Sequence, residues 1–335
     1  MTDKPTALFA MVPENLSRLF PARLIDRLSG LVDIDGGLVL ADFDQPGAAE
    51  ALAAAEILIT GWGCPPIDQQ VLDAAPRLRA VLHSAGSVRG MITEACWDRG
   101  LLVSSAAQAN AIPVAEYTLG AILLAGKDAF GLREAFNRER GHARADVLGT
   151  LGNYGRRVGV IGASRVGRRV LSLLRPLDLA VSLTDPYVTS TDAEELGVTL
   201  LPLDELLRGS DIVSLHAPDL PETRHMLDRR RLALIPDGAT LINTSRGALI
   251  DHEALTDELV SGRLSAVLDV TDPEPLPEDS PLYRLPNVFL TPHIAGSLGN
   301  ELERLGAAVV DEVERLVDGR PLGYPVARTD LQRVA

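Results

Sequence analysis

Cysteine is scarce. Cys64 and Cys96 are the two in 335 residues. With no CxxC pair and no cluster, they exclude a disulfide framework and point to a reducing compartment. Metal-ligand spacing is lacking as well: the six histidines are scattered, and no metal is expected. Positive charge is in deficit, with 32 Lys and Arg against 46 Asp and Glu, a formal net charge of −14 and a pI near 4.9. A field of that sign repels phosphate backbones, so nucleic acid is not an expected partner. The one dense basic run, Asp228-Arg229-Arg230-Arg231, reads as the solvated face of a helix. The apolar run after Met1-Thr2-Asp3-Lys4-Pro5 is too short for a signal h-region or a membrane span. A cytoplasmic protein without a membrane partner is therefore expected. Low-complexity segments and short repeats are missing too.

What remains is an ordinary soluble composition, 46% hydrophobic and 23% charged, in a chain long enough for two domains. Residues 1–106 alternate strand-like runs at 7–12, 31–35, 56–60, 79–83 and 101–105 with helical segments such as 67–75 and 91–99. Such alternation predicts a parallel sheet covered by helices on both faces. An apolar helix is expected at 112–125, with Pro113 in its first turn, where proline is tolerated, continuing with charged residues toward Arg140. Residues 141–155 read as loop.

The chain is organised around residues 157–185, RVGVIGASRVGRRVLSLLRPLDLAVSLTD. A short apolar run suits a buried parallel strand. Gly162 and Gly167 frame a turn, Val166, Val170, Leu173, Leu174 and Leu177 recur at helical spacing, and a second strand ends in Asp185. With 29 glycines in the chain, roughly two or three such glycine spacings arise by chance, so the context carries the inference. Strand, glycine turn, helix, strand and terminal acid make the order that a dinucleotide site requires. The helix start aims unpaired N–H groups at a pyrophosphate. Asp185 accepts hydrogen bonds from ribose hydroxyls and repels a 2′-phosphate, which favours NAD. Ser164 stands where the middle glycine usually lies, with a hydroxyl able to donate to a phosphate oxygen.

Further strands are expected at 198–200, 212–215, 240–244, 266–268 and 288–291, and a last helix at 298–317. The last four strands end in polar residues: His216-Ala217-Pro218, Ser245-Arg246-Gly247, Asp269 and His293. Three groups suit hydride transfer to a 2-keto acid. His293 is the general acid, and the base in reverse. Glu274 orients the imidazole and favours its charged form. Arg246 offers a planar fork for a carboxylate. Singly, each has a plainer reading: a satisfied polar histidine, a surface arginine, a loop glutamate. The loop His83-Ser84-Ala85-Gly86-Ser87, at the end of another predicted strand, reads equally as a carboxylate cradle or a plain turn.

The segments VGVIGASRVGRRV, VSLHAPDLPETRHML, LINTSRGALID, VLDVTDPEPL and LTPHIAG, in this order, resemble the NAD-dependent D-isomer-specific 2-hydroxyacid dehydrogenase family over residues 74–308. The resemblance implies two Rossmann-like or flavodoxin-like parallel-sheet domains with a cleft between them. Residues 1–106 plus 298–335 would form the substrate domain, and 107–297 the inserted NAD-binding domain. It implies Arg246, Glu274 and His293 as the catalytic set. It implies cofactor contacts at Gly162, Ser164, Arg165, Val166, Gly167, Asp185, His216, Ala217, Pro218, Thr223, Thr244, Ser245, Arg246, Asp269, His293, Ala295 and Gly296. Ser84, Ala85 and Gly86, with Arg246, would hold the substrate, and a homodimer would form through the NAD domain. The chain departs from the family at Ser164, and at Ser84 and Ser87-Val88-Arg89, where a second glycine and an aspartate are more usual. Glu274 also separates it from the formate dehydrogenase branch, which uses glutamine there. The expected activity is interconversion of a 2-keto acid and a D-2-hydroxy acid, as in glyoxylate or hydroxypyruvate reductases or phosphoglycerate dehydrogenases. The competing reading is an NAD-sensing interaction protein of the corepressor type.

Overall fold

The structure, a computed structural model, describes residues 4–141 and 151–332. The chain divides into two compact units. One ends at Asn110 and resumes at Ser297, and the other runs Ala111–Gly296.

The first unit holds a five-stranded sheet of β1 (Thr6–Ala10), β2 (Asp33–Leu40), β3 (Ile57–Thr60), β4 (Ala80–His83) and β5 (Leu102–Ser105). The order is β2-β1-β3-β4-β5 and every pairing is parallel. This is the flavodoxin-like order, whose direction reverses between β1 and β3. The apolar runs are continuous because both faces are buried. Ala7, Phe9, Ile57, Ile59, Ala80 and Leu82 enter one core, while Leu8, Ala10, Leu58 and Val81 enter another. The helix Leu302–Val317 joins the first of these cores through Leu305, Val309, Val310 and Val313. Gly306 makes that approach close: a Cβ there would lie 1.9 Å from the Leu19 carbonyl oxygen.

The second unit holds β6 (Arg156–Ile161), β7 (Leu179–Thr184), β8 (Thr199–Leu200), β9 (Ile212–Leu215), β10 (Thr240–Asn243), β11 (Ser265–Leu268) and β12 (Val288–Leu290). They form an all-parallel sheet in the order β12-β11-β10-β9-β6-β7-β8. Here too side chains alternate between two cores: Val213, Leu215, Leu241 and Leu268 on one face, Val158, Val160, Ile242 and Val267 on the other. β6 comes first in sequence yet lies between β7 and β9. The winding therefore reverses at β6, and open α/β sheets bind ligands in the crevice at such a point.

Several expectations need correction. The helix expected at 112–125 starts at Ala107, so Pro113 lies inside it. The stretch before the proline is rich in alanine, the strongest helix former, and Ala109, Ala111, Val114 and Ala115 are buried. Burial offsets the missing N–H bond. The continuation toward Arg140 is broken at Asp128, in the left-handed region at φ 47°, and a separate helix spans Ala129–Glu139. The strand expected at 31–35 is Asp33–Leu40, because Leu31 closes the helix Ala22–Leu31. β2 is an edge strand whose register with β1 shifts between Ile34 and Val39, and its Gly36-Gly37 pair falls in that irregularity. The expected helices 67–75 and 91–99 shorten to Gln69–Ala74 and Glu94–Asp98. The loop expected at 141–155 falls largely on residues 142–150, outside the described residues, as do Met1 to Asp3 of the N-terminal run.

The basic run is a short helix, Arg229–Leu232, capped by Asp228, with Arg229 and Arg230 exposed to solvent as expected. Arg229 pairs with Asp257 at 2.7 Å, and Arg230 and Arg231 share Asp204 at 2.7 and 3.4 Å. Among the described residues, no single helix is long and apolar enough to cross a membrane.

Candidate active site

The glycine turn sits at the switch point of the seven-stranded sheet. Gly162 follows β6 with φ +95°, and a Cβ there would lie 2.7 Å from the Ala217 backbone nitrogen. The turn after β6 thus lies directly against the turn after β9. A Cβ at Gly167 would lie 2.0 Å from the Gly162 carbonyl oxygen. Both positions require glycine, one for conformation and contact, the other for contact alone. Ser164 is the N-cap of the helix Arg165–Leu174: its Oγ accepts from the Gly167 N–H at 3.3 Å. The hydroxyl hydrogen remains available to donate, so capping and a phosphate contact are compatible. Arg165 and Val166 open the helix, where backbone N–H groups lack intrahelical partners. Asp185 follows β7, and its carboxylate accepts from the Ala163 N–H at 2.7 Å and the Tyr187 N–H at 2.8 Å. These bonds fix the acid beside the turn while each oxygen keeps acceptor capacity.

The residues after β9 and β10 form one bonded group. Ser245 Oγ donates to the Ala217 carbonyl at 2.8 Å, and Thr223 Oγ1 donates to the Pro218 carbonyl at 2.6 Å. Thr244 Oγ1 lies 2.9 Å from Thr118 Oγ1 on the helix Ala107–Ala125. His216 is buried, with Nε2 2.8 Å from Ser214 Oγ. Burial pushes its pKa down to about 3, so the ring stays neutral.

The loops after β10, β11 and β12 carry the three expected catalytic groups. His293 Nδ1 lies 2.7 Å from Glu274 Oε1, with both side chains partly exposed. His293 holds φ 55°, a conformation uncommon outside glycine. Buried Asp269 holds it there: Oδ1 accepts from the Ile294 N–H and Oδ2 from the Ala295 N–H, each at 2.8 Å. The Asp269 carbonyl takes the His293 N–H at 3.0 Å. Arg246 lies on the neighbouring loop. A Cβ at Gly247 would lie 2.1 Å from the Thr271 carbonyl carbon, so the Arg246 loop runs hard against the loop that carries Glu274. Asn243 clamps this loop, its Nδ2 donating to the Arg246 carbonyl at 2.9 Å and its Oδ1 accepting from the Ser245 N–H at 3.0 Å. The Arg246 guanidinium donates to the Ser245 carbonyl at 2.7 Å.

In the five-stranded unit, Ser84 is buried and its Oγ donates to the Thr60 carbonyl at 2.7 Å. His83 Nδ1 lies 2.9 Å from Thr60 Oγ1, and burial pushes its pKa down to about 4. The Ser84 hydroxyl is thus committed to the fold. Any ligand contact made by Ser84, Ala85 and Gly86 falls to their backbone groups.

Residues 119–295 match the sequence profile described as D-isomer specific 2-hydroxyacid dehydrogenase, NAD binding domain. The chain belongs to that family. A D-3-phosphoglycerate dehydrogenase of Mycobacterium bovis is 36% identical over 254 residues, 76% of this chain and 48% of that one. A glyoxylate reductase of Korarchaeum cryptofilum is 31% identical over 251 residues, 74% of this chain and 76% of that one. The crystal structure of D-lactate dehydrogenase from Aquifex aeolicus, complexed with NAD and lactic acid, superposes with a TM-score of 0.71 at 26% identity, covering 94% of this chain and 96% of that one. The chain spans about half the length of the phosphoglycerate dehydrogenases it matches.

The residues present fit the cofactor of this dehydrogenase family. The cradle between Gly162 and Ala217 is one that a single Cβ would fill, and a carboxylate rather than a basic group follows β7. Four further residues take part: Tyr117 and Thr118 on the long helix, Asn243, and Thr291. Asn243 and Thr291 lie in the segments LINTSRGALID and LTPHIAG, but only Asn243 has its partners beside it in sequence. The side-chain bonds of Tyr117, Thr118 and Thr291 cross sequence gaps that no local pattern spans.

Proposed function

We propose that the chain is an NAD-dependent D-2-hydroxyacid dehydrogenase, interconverting a 2-keto acid and the D-2-hydroxy acid. The observation that carries this reading is the His293–Glu274 pair at 2.7 Å, set on loops of a sheet whose glycine turn and Asp185 fit NAD. Reduced NAD, held by these residues, would supply the hydride for the carbonyl carbon. His293 gives the carbonyl oxygen a proton, and Nε2 is the atom that transfers it, because Nδ1 is engaged by Glu274. In the reverse direction the same nitrogen takes the proton from the hydroxyl. Glu274 fixes the ring plane and the tautomer. Arg246 exchanges its bond to the Ser245 carbonyl for the substrate carboxylate, which its fork meets with two parallel N–H groups, and polarises the adjacent carbonyl. The backbone of Ser84, Ala85 and Gly86 is assigned to the substrate carboxylate by resemblance.

Gly162, Ser164, Arg165, Val166 and Gly167 take the pyrophosphate, and Asp185 the adenosine ribose. His216, Ala217, Pro218, Thr223, Thr244, Ser245, Asp269, Ala295 and Gly296 form the rest of the cofactor wall. The substrate is a small 2-keto acid of the glyoxylate, hydroxypyruvate or phosphohydroxypyruvate type. A cytoplasmic homodimer through the Ala111–Gly296 unit completes the proposal, supported by the exposed apolar side chains of Leu124, Phe136 and Tyr154.

The test is a panel of 2-keto acids with NADH and NADPH in parallel, followed by the near-ultraviolet absorbance of the reduced nicotinamide. Consumption of NADH with at least one acid, and little of NADPH, is expected. Tight NADH binding with no consumption on any acid would favour an NAD-sensing role and overturn the enzyme.

A further inference from the structure

Tyr117 lies on the helix Ala107–Ala125, well before any of the catalytic loops in sequence. Its hydroxyl is 2.8 Å from Thr291 Oγ1, and Thr291 Oγ1 is 2.7 Å from Asp269 Oδ1. The direction of the chain follows from chemistry. A carboxylate only accepts, so the Thr291 hydroxyl spends its one hydrogen on Asp269 and must receive the phenol hydrogen from Tyr117. Asp269, 2% exposed, passes the constraint on. Its two oxygens accept from Ile294 and Ala295, and its carbonyl accepts from His293.

We propose that Tyr117 is a positioning residue for His293, acting through the Thr291 hydroxyl and the Asp269 carboxylate. The proposal rests on the dehydrogenase reading of the same site. A left-handed backbone at His293 is costly for a residue with a side chain, and the Asp269 bonds hold it in place. Thr291 restrains the Asp269 oxygen that also holds Ile294, and the phenol restrains Thr291. The titratable groups in this chain of bonds are Glu274, bonded to the imidazole Nδ1, Asp269, bonded to the loop backbone, and Tyr117, bonded to Thr291; Arg246 lies on the neighbouring loop. The adjacent Thr118 makes a parallel bond to Thr244 at 2.9 Å. One helical turn thus ties down the residues that follow both β10 and β12.

The test compares Tyr117→Phe, Thr291→Val and Thr291→Ser in the full chain. Tyr117→Phe removes one oxygen and keeps the ring. It is expected to lower kcat about five- to tenfold, the rate equivalent of one hydrogen bond, while NADH affinity and thermal midpoint hold. Thr291→Val loses more, and Thr291→Ser, which keeps the hydroxyl, restores the rate. A second reading needs no substrate. The proton between His293 Nδ1 and Glu274 gives a downfield NMR signal, expected to shift or broaden in Tyr117→Phe and Thr291→Val and to persist in Thr291→Ser. An unchanged signal in Tyr117→Phe overturns the positioning role, whether or not the protein turns over a keto acid. So does a rate loss that only follows a fall in thermal midpoint and NADH affinity. Absence of turnover in the unaltered protein, with the signal behaving as expected, would defeat the enzyme reading alone.

Discussion

The Nδ1 of His293 and the Oε1 of Glu274 are 2.7 Å apart, and each sits on a different loop. His293 follows β12 and Glu274 follows β11, and these two strands pair in parallel, Leu268 opposite Leu290. Parallel neighbours deliver the residues just past their ends to the same edge of a sheet, which is how two side chains 19 positions apart meet. His293→Asn should lower kcat by about 10²–10⁴, the range for loss of a general acid. Glu274→Gln, which keeps the shape but not the charge, should lose less. Steady-state rates with the best keto acid check this, and a His293→Asn enzyme of undiminished kcat would contradict it.

Asp185 is held by two backbone N–H groups, at 2.7 and 2.8 Å, before any ribose arrives. Asp185→Ser should weaken NADH binding roughly 10- to 100-fold, the equivalent of lost charge-assisted hydrogen bonds. It should also narrow the preference over NADPH by removing a repelling charge. The ratio of kcat/KM for the two cofactors measures this. An unchanged ratio would show that Asp185 does not read the ribose.

Ser164 caps the helix Arg165–Leu174 through the Gly167 N–H. Ser164→Ala should cost about 1 kcal/mol of stability, and Ser164→Gly only a few tenths, because glycine is a tolerable cap. Thermal melts separate the two, with the alanine variant expected to melt lower. Equal melting would remove the cap role.

Some of this was legible in the sequence. The spacing of Gly162, Gly167 and Asp185 reads as a nucleotide turn because strand, turn and helix each have a local period. The alternating strands read as parallel sheets because both faces are buried and the apolar runs are unbroken. The start of the long helix at Ala107 was hidden by Pro113, which in an exposed helix would mark an end. The bonds from Tyr117 to Thr291 and from Thr291 to Asp269 span 174 and 22 residues. They depend on how helix and strands pack, which no residue pattern encodes. The left-handed backbone at His293 is likewise invisible, since its cause is the Asp269 carboxylate behind it.

Burial sets a pH dependence of stability. His83 and His216 are pushed down to about 4 and about 3, and burial lowers His252 as well, whereas an exposed histidine titrates near ~6.5. On acidification the unfolded chain therefore binds these protons first. The stability they confer is complete above about pH 6.5 and declines as pH falls toward 4, by up to about 1.4 kcal/mol per pH unit for each proton. Urea midpoints between pH 7 and 4.5 should fall, and His216→Gln should flatten the slope by about one proton. A flat profile in the unaltered protein would contradict this.

The central claim concerns Arg246, whose fork is assigned to the substrate carboxylate and carbonyl. Turnover and NADH binding in Arg246→Ala, measured side by side with the best keto acid, test it most directly. Turnover should vanish while NADH binding stays close to that of the unaltered protein, and Arg246→Lys should recover little, because a point charge lacks the planar fork. Retained turnover with cofactor affinity lost would contradict the account.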